Sequence, residues 1–342
     1  MRLSIVIPVY NAAIFLSLCL ESLLNQDIDS KDYEILVIDD GSSDNSLSIA
    51  NSFSDRYDHI NVHSKLNGGV GSARNKGLAL AKGAYIYFID PDDYLAKDVL
   101  NTILKKAEDN KLDVLTFRSL PTKDSSLFHS NPNKIGLQLS PILNGEDYIA
   151  NNNYQNEVWW YIIKRTFFLE SKITFIEERW MEDAILTAKL FLKANAIANF
   201  PMSIHRHVIV EGSAMTSKEP SHYIRVINDN YNAALVFDTI INKLKSNPSS
   251  NKECLVRLNA RQQSFVFFMM VRMLKSTIHL KDVKPILNHL YTIKAYPLNA
   301  FLDKDYNGFS YTILVKLFNS KTIYYSLFRI FNPLFRLIHF KK

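Results

Sequence analysis

Glu34-Ile35-Leu36-Val37-Ile38-Asp39-Asp40-Gly41-Ser42-Ser43-Asp44-Asn45-Ser46, residues 34–46, decides the architecture of the first half of the chain. Glu34–Ile38 reads as a strand whose apolar run does not alternate, the pattern of a strand covered on both faces. It stops at an acidic turn. A helix starting near Asp44 would bury Leu47, Ala50 and Phe53, with Ser43 or Asp44 as its cap.

The same unit repeats outward in both directions. Leu3–Pro8 is an apolar strand, and Leu16, Leu20, Leu23 and Leu24 follow at helical spacing through Gln26. Apolar runs at Ile60–His63, Tyr85–Ile89 and Val114–Phe117 alternate with helical segments at Gly71–Ala81 and Lys97–Asp109. This alternation predicts an α/β fold, a mainly parallel sheet flanked by helices. Ligands of such sheets sit beyond the carboxyl ends of the strands, where Asp39, Asp40 and Asp90 fall.

Residues 119–143, with Pro121, Pro132 and Pro141, read as a long irregular connection. From Asn144 the pattern turns more helical, through Val158–Ile163 and then Trp180–Ala194, and residues 218–342 form a mainly helical, basic region. Two domains are expected, 1–217 and 218–342.

Composition narrows the function classes. The 342 residues are 47% hydrophobic and 22% charged, which excludes a disordered or collagen-like chain. Forty Lys and Arg against 34 Asp and Glu leave +6. Residues 1–120 hold 12 basic and 17 acidic side chains, so the positive excess belongs to the remainder. Cys19 and Cys254 have no spacing that suggests zinc or redox chemistry. The opening MRLSIVIPVYN lacks the apolar core of a signal peptide, and no stretch reaches 18 uncharged apolar residues. A cytoplasmic protein is expected, or one attached to the inner face of the cytoplasmic membrane.

Asp90-Pro91-Asp92-Asp93 is the sharpest acidic cluster. Carboxylates crowded at a strand end repel one another, and a divalent cation with oxygen ligands would relieve that cost while holding a diphosphate; a polar turn opening the next helix is the alternative. Asp39 and Asp40 can accept from a base N–H or sugar hydroxyls. In Asn67-Gly68-Gly69-Val70-Gly71-Ser72-Ala73-Arg74-Asn75-Lys76-Gly77 the glycines permit close backbone approach and Arg74 could meet phosphate. No GxGxxG follows the first strand and no GxxxxGK[ST] occurs, which argues against dinucleotide binding and a P-loop. Glu182-Asp183 reads either as first-turn acids of a helix or as the source of a base. His205-Arg206-His207 and Glu211-Gly212-Ser213 could reach phosphate or acceptor hydroxyls.

Taken together, SIVIPVYN at 4–11, EILVIDDGSSDNS at 34–46, NGGVGSARNKG at 67–77, YIYFIDPDDYL at 85–95 and Glu182-Asp183 make the chain similar to the family 2 glycosyltransferases of GT-A fold. The resemblance is greatest to bacterial enzymes of capsule, exopolysaccharide or O-antigen synthesis, and it covers about residues 1–217. It implies that Pro8, Tyr10, Asp39, Asp40 and Arg74 contact the nucleotide, with Asp39 on uracil or its equivalent. It further implies that Asp92, flanked by Asp90 and Asp93, binds the donor diphosphate through Mn²⁺ or Mg²⁺, and that Asp183 is the general base of inverting transfer. The expected partners are a nucleotide sugar, with UDP the expected nucleotide, and a saccharide or lipid-linked saccharide acceptor. A sugar-phosphate nucleotidyltransferase and an inactive glycan-binding or scaffold protein are the competing readings. The segment around His207 and Ser213 departs from the family pattern.

The tail Tyr324–Lys342 mixes six aromatics with four Lys and Arg. It reads as a packed terminal helix or as an element lying on a membrane surface. Nucleic acid is not an expected partner, since no reader motif accompanies the basic residues.

Overall fold

The computed structural model describes the chain except residues 131, 133–135, 153, 211–218, 303–305 and 340–342. Two compact units emerge, residues 1–148 with 155–211, and residues 149–154 with 212–342.

In the first unit, β1 (Leu3–Val9), α1 (Leu16–Leu24), β2 (Tyr33–Asp39), α2 (Ser46–Ser54), β3 (Ile60–Ser64), α3 (Gly69–Leu80) and β4 (Tyr85–Phe88) alternate along the chain. The four strands lie side by side and parallel in the order β3-β2-β1-β4. Every residue of β1, β2 and β4 is buried, as their unbroken apolar runs require. The chain steps outward from β1 to β3, then returns to place β4 on the other side of β1. That reversal opens a crevice past the carboxyl ends of β1 and β4. Pro8 pairs in register with Ile38, two residues beyond the last β1–β4 pair, Val6 with Phe88. Its missing N–H therefore breaks no bond to β4.

β5 (Tyr94–Leu95), α4 (Leu100–Asp109), β6 (Val114–Thr122), α5 (Gly145–Asn151), β7 (Tyr161–Lys164), α6 (Arg165–Ser171), α7 (Glu182–Lys193) and β8 (Ile197–Val208) follow. They extend the sheet to β3-β2-β1-β4-β7-β6-β8-β5. β7 is antiparallel to β4 and β6, and β5 to β8, so the sheet is mixed. The helical expectation for 158–163 is corrected here, because Tyr161–Lys164 is a central strand. A short apolar run carries no period that separates a buried strand from a buried helix. The connection expected at 119–143 opens with regular structure: β6 runs to Thr122 and a 3-10 turn spans Ser125–His129. Pro121 is tolerated because β7 pairs with β6 only over Val114–Thr116. α4 begins at Leu100 instead of Lys97, after Asp98 adopts φ 55°.

The second unit is helical: α8 (Pro220–Lys245), α9 (Lys252–Leu274), α10 (Leu280–Thr292), α11 (Phe309–Asn319) and α12 (Lys321–His339). Phe237 of α8 meets Phe265 of α9 at 5.2 Å. Arg261 of α9 donates to the carbonyl of Tyr154 at 2.8 Å, joining residues 149–154 to this unit. Cys19 and Cys254 are buried and unbonded to each other. Among the described residues, no helix is long and apolar enough to cross a membrane.

Candidate active site

The site is built on the turns that leave β1, β2 and β4. Tyr10 follows β1 and is 55% exposed. Asn11 turns the chain with φ 51° and accepts from Ser43 N at 2.8 Å, while its own N–H donates to Ser42 Oγ at 3.0 Å. Ala13 N donates to Asp44 Oδ2 at 3.0 Å. The turns after β1 and β2 are thus laced together. Asp44 Oδ1 also accepts from Ser46 N at 2.9 Å, satisfying an orphan donor at the start of α2.

Asp39 closes β2 in a buried position. One carboxylate oxygen accepts from Ser42 N at 3.1 Å and the other from Ser64 Oγ at 2.7 Å. A carboxylate offers about four acceptor directions, so capacity for a further donor remains. Asp40 differs. Its carboxylate accepts from Lys65 Nζ at 2.6 Å, Gly68 N at 3.0 Å and Gly69 N at 2.8 Å. Asp40, expected on the nucleotide, buckles the loop that enters α3.

The turn after β4 carries the three acids expected there. Asp93 N donates to Asp90 O at 3.1 Å, which tightens the turn. Burial, then the carboxylates of Asp90 and Asp93, push Asp92 up to about 7. Asp93, expected to flank Asp92 at the donor, faces β8. It is buried, accepts from Val208 N at 2.8 Å and lies 3.2 Å from His207 Nδ1. His205 Nε2 stands 3.1 Å from Asp93 without an aligned hydrogen bond. Burial alone would raise Asp93, but the two imidazoles outweigh it and hold the carboxyl low. Asp93 raises His207 in return. Trp159 stacks on both rings, 4.4 Å from His205 and 5.3 Å from His207.

Arg74 joins this turn to α7. Its guanidinium donates through Nη2 to Asp90 Oδ1 at 2.8 Å and through Nη1 to Glu182 Oε1 at 2.7 Å. The arginine is buried, which opposes its charge, yet Asp90, Glu182 and Asp183 together raise its pKa. α3 is brought into place by its glycines. A Cβ on Gly71 would stand 2.5 Å from the carbonyl oxygen of Ile176, and one on Gly77 2.2 Å from Val6. Asn75 extends the Gly71 contact, accepting from Phe175 N at 2.9 Å and donating to Phe175 O at 3.0 Å. The chain then turns through Met181, at φ 65°, into the first turn of α7.

Glu182 is buried against Arg74, whereas Asp183 keeps part of its surface open. Burial first, then Glu182, raises the Asp183 carboxyl well above the usual range. Asp90, Arg74, Glu182 and Asp183 are therefore one connected group. Tyr10 and Asp39 stand at the neighbouring strand ends of the same crevice. Among the described residues, no three His, Cys, Asp or Glu side chains form a closed metal cage. The oxygen donors at Asp90–Asp93 suit a cation held by one or two carboxylates with substrate phosphates completing its shell. Glu211, Gly212 and Ser213 lie outside the described residues. Ser64, Lys65 and Trp159 were missed by sequence reasoning. The i, i+2 spacing of His205 and His207 would have placed both on one strand face.

The sequence pattern of Glycosyl transferase family 2 matches residues 4–173. A poly(ribitol-phosphate) beta-glucosyltransferase of Bacillus spizizenii is 33% identical over 208 residues, 58% of this chain and 31% of that protein. The uncharacterized glycosyltransferase EpsJ of Bacillus subtilis is 30% identical over 57% of each chain. This chain thus spans about a third to somewhat over half the length of these two relatives. The S. aureus TarS 1–349 structure in complex with UDP-GlcNAc superposes with a TM-score of 0.68 at 21% identity, over 98% of this chain and 92% of that one. A mannosyltransferase of Pyrobaculum calidifontis, in complex with GDP-Man and Mn²⁺, superposes with a TM-score of 0.55 at 14% identity, over 93% and 86%. These likenesses establish the GT-A fold, and the matched residues include the strand ends that carry Tyr10, Asp39, Asp90 and Asp92, together with Arg74: the chain belongs to glycosyl transferase family 2.

Proposed function

We propose that this chain transfers a sugar, with inversion, from a nucleotide-sugar donor to a hydroxyl of a saccharide or lipid-linked saccharide in bacterial surface polysaccharide synthesis. The observation that carries the reading is the Arg74 bridge, which ties the acidic turn after β4 to the start of α7. A donor-binding end and a basic carboxylate thereby face one crevice. The relatives' names, a poly(ribitol-phosphate) beta-glucosyltransferase among them, support the substrate class.

Tyr10 offers an exposed ring for stacking on the base, and Asp39 an acceptor for a base N–H such as that of uracil. Asp40 acts on the donor indirectly, by fixing the Lys65–Gly69 loop. Asp92, with Asp90 beside it, would hold Mn²⁺ or Mg²⁺, which when bound neutralises charge on the leaving diphosphate. Asp183 takes the proton of the acceptor hydroxyl as that oxygen attacks the anomeric carbon opposite the leaving group. Its raised pKa makes it a stronger base than an exposed aspartate, and Glu182, pinned by Arg74, keeps its neighbour's position fixed. We assign this chemistry to residues 1–217 and place the enzyme on the inner face of the cytoplasmic membrane, where lipid-linked acceptors lie.

A panel of UDP- and GDP-sugars, assayed for donor turnover with Mn²⁺, with Mg²⁺ and with EDTA, tests the proposal. Turnover of at least one donor, abolished by EDTA, is expected. Nucleotide exchange onto a sugar phosphate without glycosyl transfer would instead identify a nucleotidyltransferase.

A further inference from the structure

α12 presents two faces with different fates. Tyr324, Phe328, Asn332 and Arg336, spaced four apart, hold it to the second unit. Tyr324 Oη donates to Met270 O at 2.9 Å, and Asn332 Nδ2 to Ser276 O at 2.7 Å and Met273 O at 3.1 Å. Arg336 donates to the carbonyls of Thr277 and Ile278. The other face carries Ile323, Ile330, Phe331, Leu334 and Leu337, each at least 43% exposed. Ile323, Ile330, Leu334 and Leu337 recur at helical spacing and make one stripe.

The charge around this stripe has one sign. Residues 306–342 hold six Lys and Arg and no Asp or Glu. Lys284 lies 5.8 Å over the Tyr325 ring and Lys275 5.7 Å over that of Phe335. Beside the stripe, an open groove of about 300 Å³ is lined by His279, Arg329 and Arg336 above Ile278, Phe328 and Pro333. Exposed aliphatics on a helix whose charged side chains are all cations match the boundary between acyl chains and anionic headgroups. A second copy would bring the same positive face against itself, a like-charge contact that opposes pairing.

We propose that α12 lies in the surface of an anionic membrane, with the Ile323–Leu337 stripe in the acyl boundary and the Arg329–Arg336 groove around a lipid phosphate. This deepens the membrane-side reading above, and its test does not depend on glycosyl transfer. The intact chain is sedimented with vesicles of phosphatidylcholine alone or mixed with phosphatidylglycerol. Recovery is expected only with phosphatidylglycerol and should fall as salt rises. Arg329→Glu removes one positive charge and adds a negative one, which should weaken partitioning about 30-fold. Leu334→Ser with Leu337→Ser should weaken it more than tenfold. Metal-dependent donor turnover should be unchanged by Arg329→Glu, which separates a surface defect from a catalytic one. Equal recovery with both vesicle types, or none with either, overturns the proposal. So does inorganic phosphate binding that needs Arg329 in a protein that ignores vesicles, or self-association in solution that the serine variants abolish. Should the serine variants fail to fold, the vesicle comparison and Arg329→Glu decide alone.

Discussion

Replacing Arg74 by Met should destabilise the first unit severely and in a pH-dependent way. The arginine and Glu182 side chains are 4% and 6% exposed, so their ion pair is screened little by water, while Asp90 at 31% contributes less. Removing one partner of such a buried pair leaves an uncompensated charge and costs about 3–5 kcal/mol. For a unit of this size that corresponds to a fall in Tm of about 10 °C. Burial already raises Glu182, and Arg74 opposes that rise. Without Arg74, Glu182 titrates higher still. The deficit relative to wild type is then fullest where Glu182 would be ionised, and it shrinks as pH falls through the raised pKa and the group becomes neutral. Thermal melts of wild type, Arg74→Met, Glu182→Gln and the double variant, at about pH 5 and about pH 8, measure this directly. The double variant should regain much of the loss, because an amide leaves no buried charge. An Arg74→Met cost below about 1 kcal/mol, the range of an exposed pair, or no recovery in the double variant, would refute the account of Arg74 as a buried clamp.

Asp183→Asn should lower kcat about 10²- to 10⁴-fold while leaving nucleotide-diphosphate affinity near wild type; calorimetric titration alongside the rate assay separates the two. In wild type the acid limb of kcat should lie above the ordinary carboxylate range, since activity is lost as Asp183 protonates and its pKa is raised. Glu182→Gln should move that limb to lower pH, and an unmoved limb would remove Glu182 as its cause. Gly71→Ala should destabilise by about 1–3 kcal/mol, because the added methyl meets Ile176 O at 2.5 Å; an unchanged denaturation midpoint would mean the two segments separate freely. Asp40→Ala strands three donors and should raise donor Kd as well as lower stability, with fluorescence titration and chemical denaturation as the readouts.

Much of the first unit was legible because β1, β2 and β4 are buried along their whole length and because β2 and β4 run into acids. β1, β2 and β4 follow from largely apolar, fully buried runs, while β3, Ile60–Ser64, alternates apolar and polar residues at the edge of the sheet; Asp39, Asp40 and Asp90 sit at or just past the ends of β2 and β4. β7 was not legible. Trp159–Ile163 is apolar throughout, and only the sheet decides that Tyr161–Lys164 pairs with β4 and β6. The partnerships of the acids were hidden for a different reason. Asp40 and Asp93 look in sequence like Asp39 and Asp92, yet one is satisfied by Lys65 and the glycine loop and the other by β8, more than a hundred residues away. Arg74 reads as a phosphate ligand, and nothing in its local sequence discloses Glu182 at its Nη1. Adjacent carboxylates take their roles from what the fold places opposite each, and local spacing does not carry that information.

The central claim is inverting transfer with Asp183 as base. It is tested most directly by the anomeric configuration of the first product formed from an α-linked nucleotide sugar, followed by proton NMR before mutarotation or further reaction. A β product from the wild-type protein and almost none from Asp183→Asn are expected. An α product, or equal turnover by the two proteins, would contradict the claim.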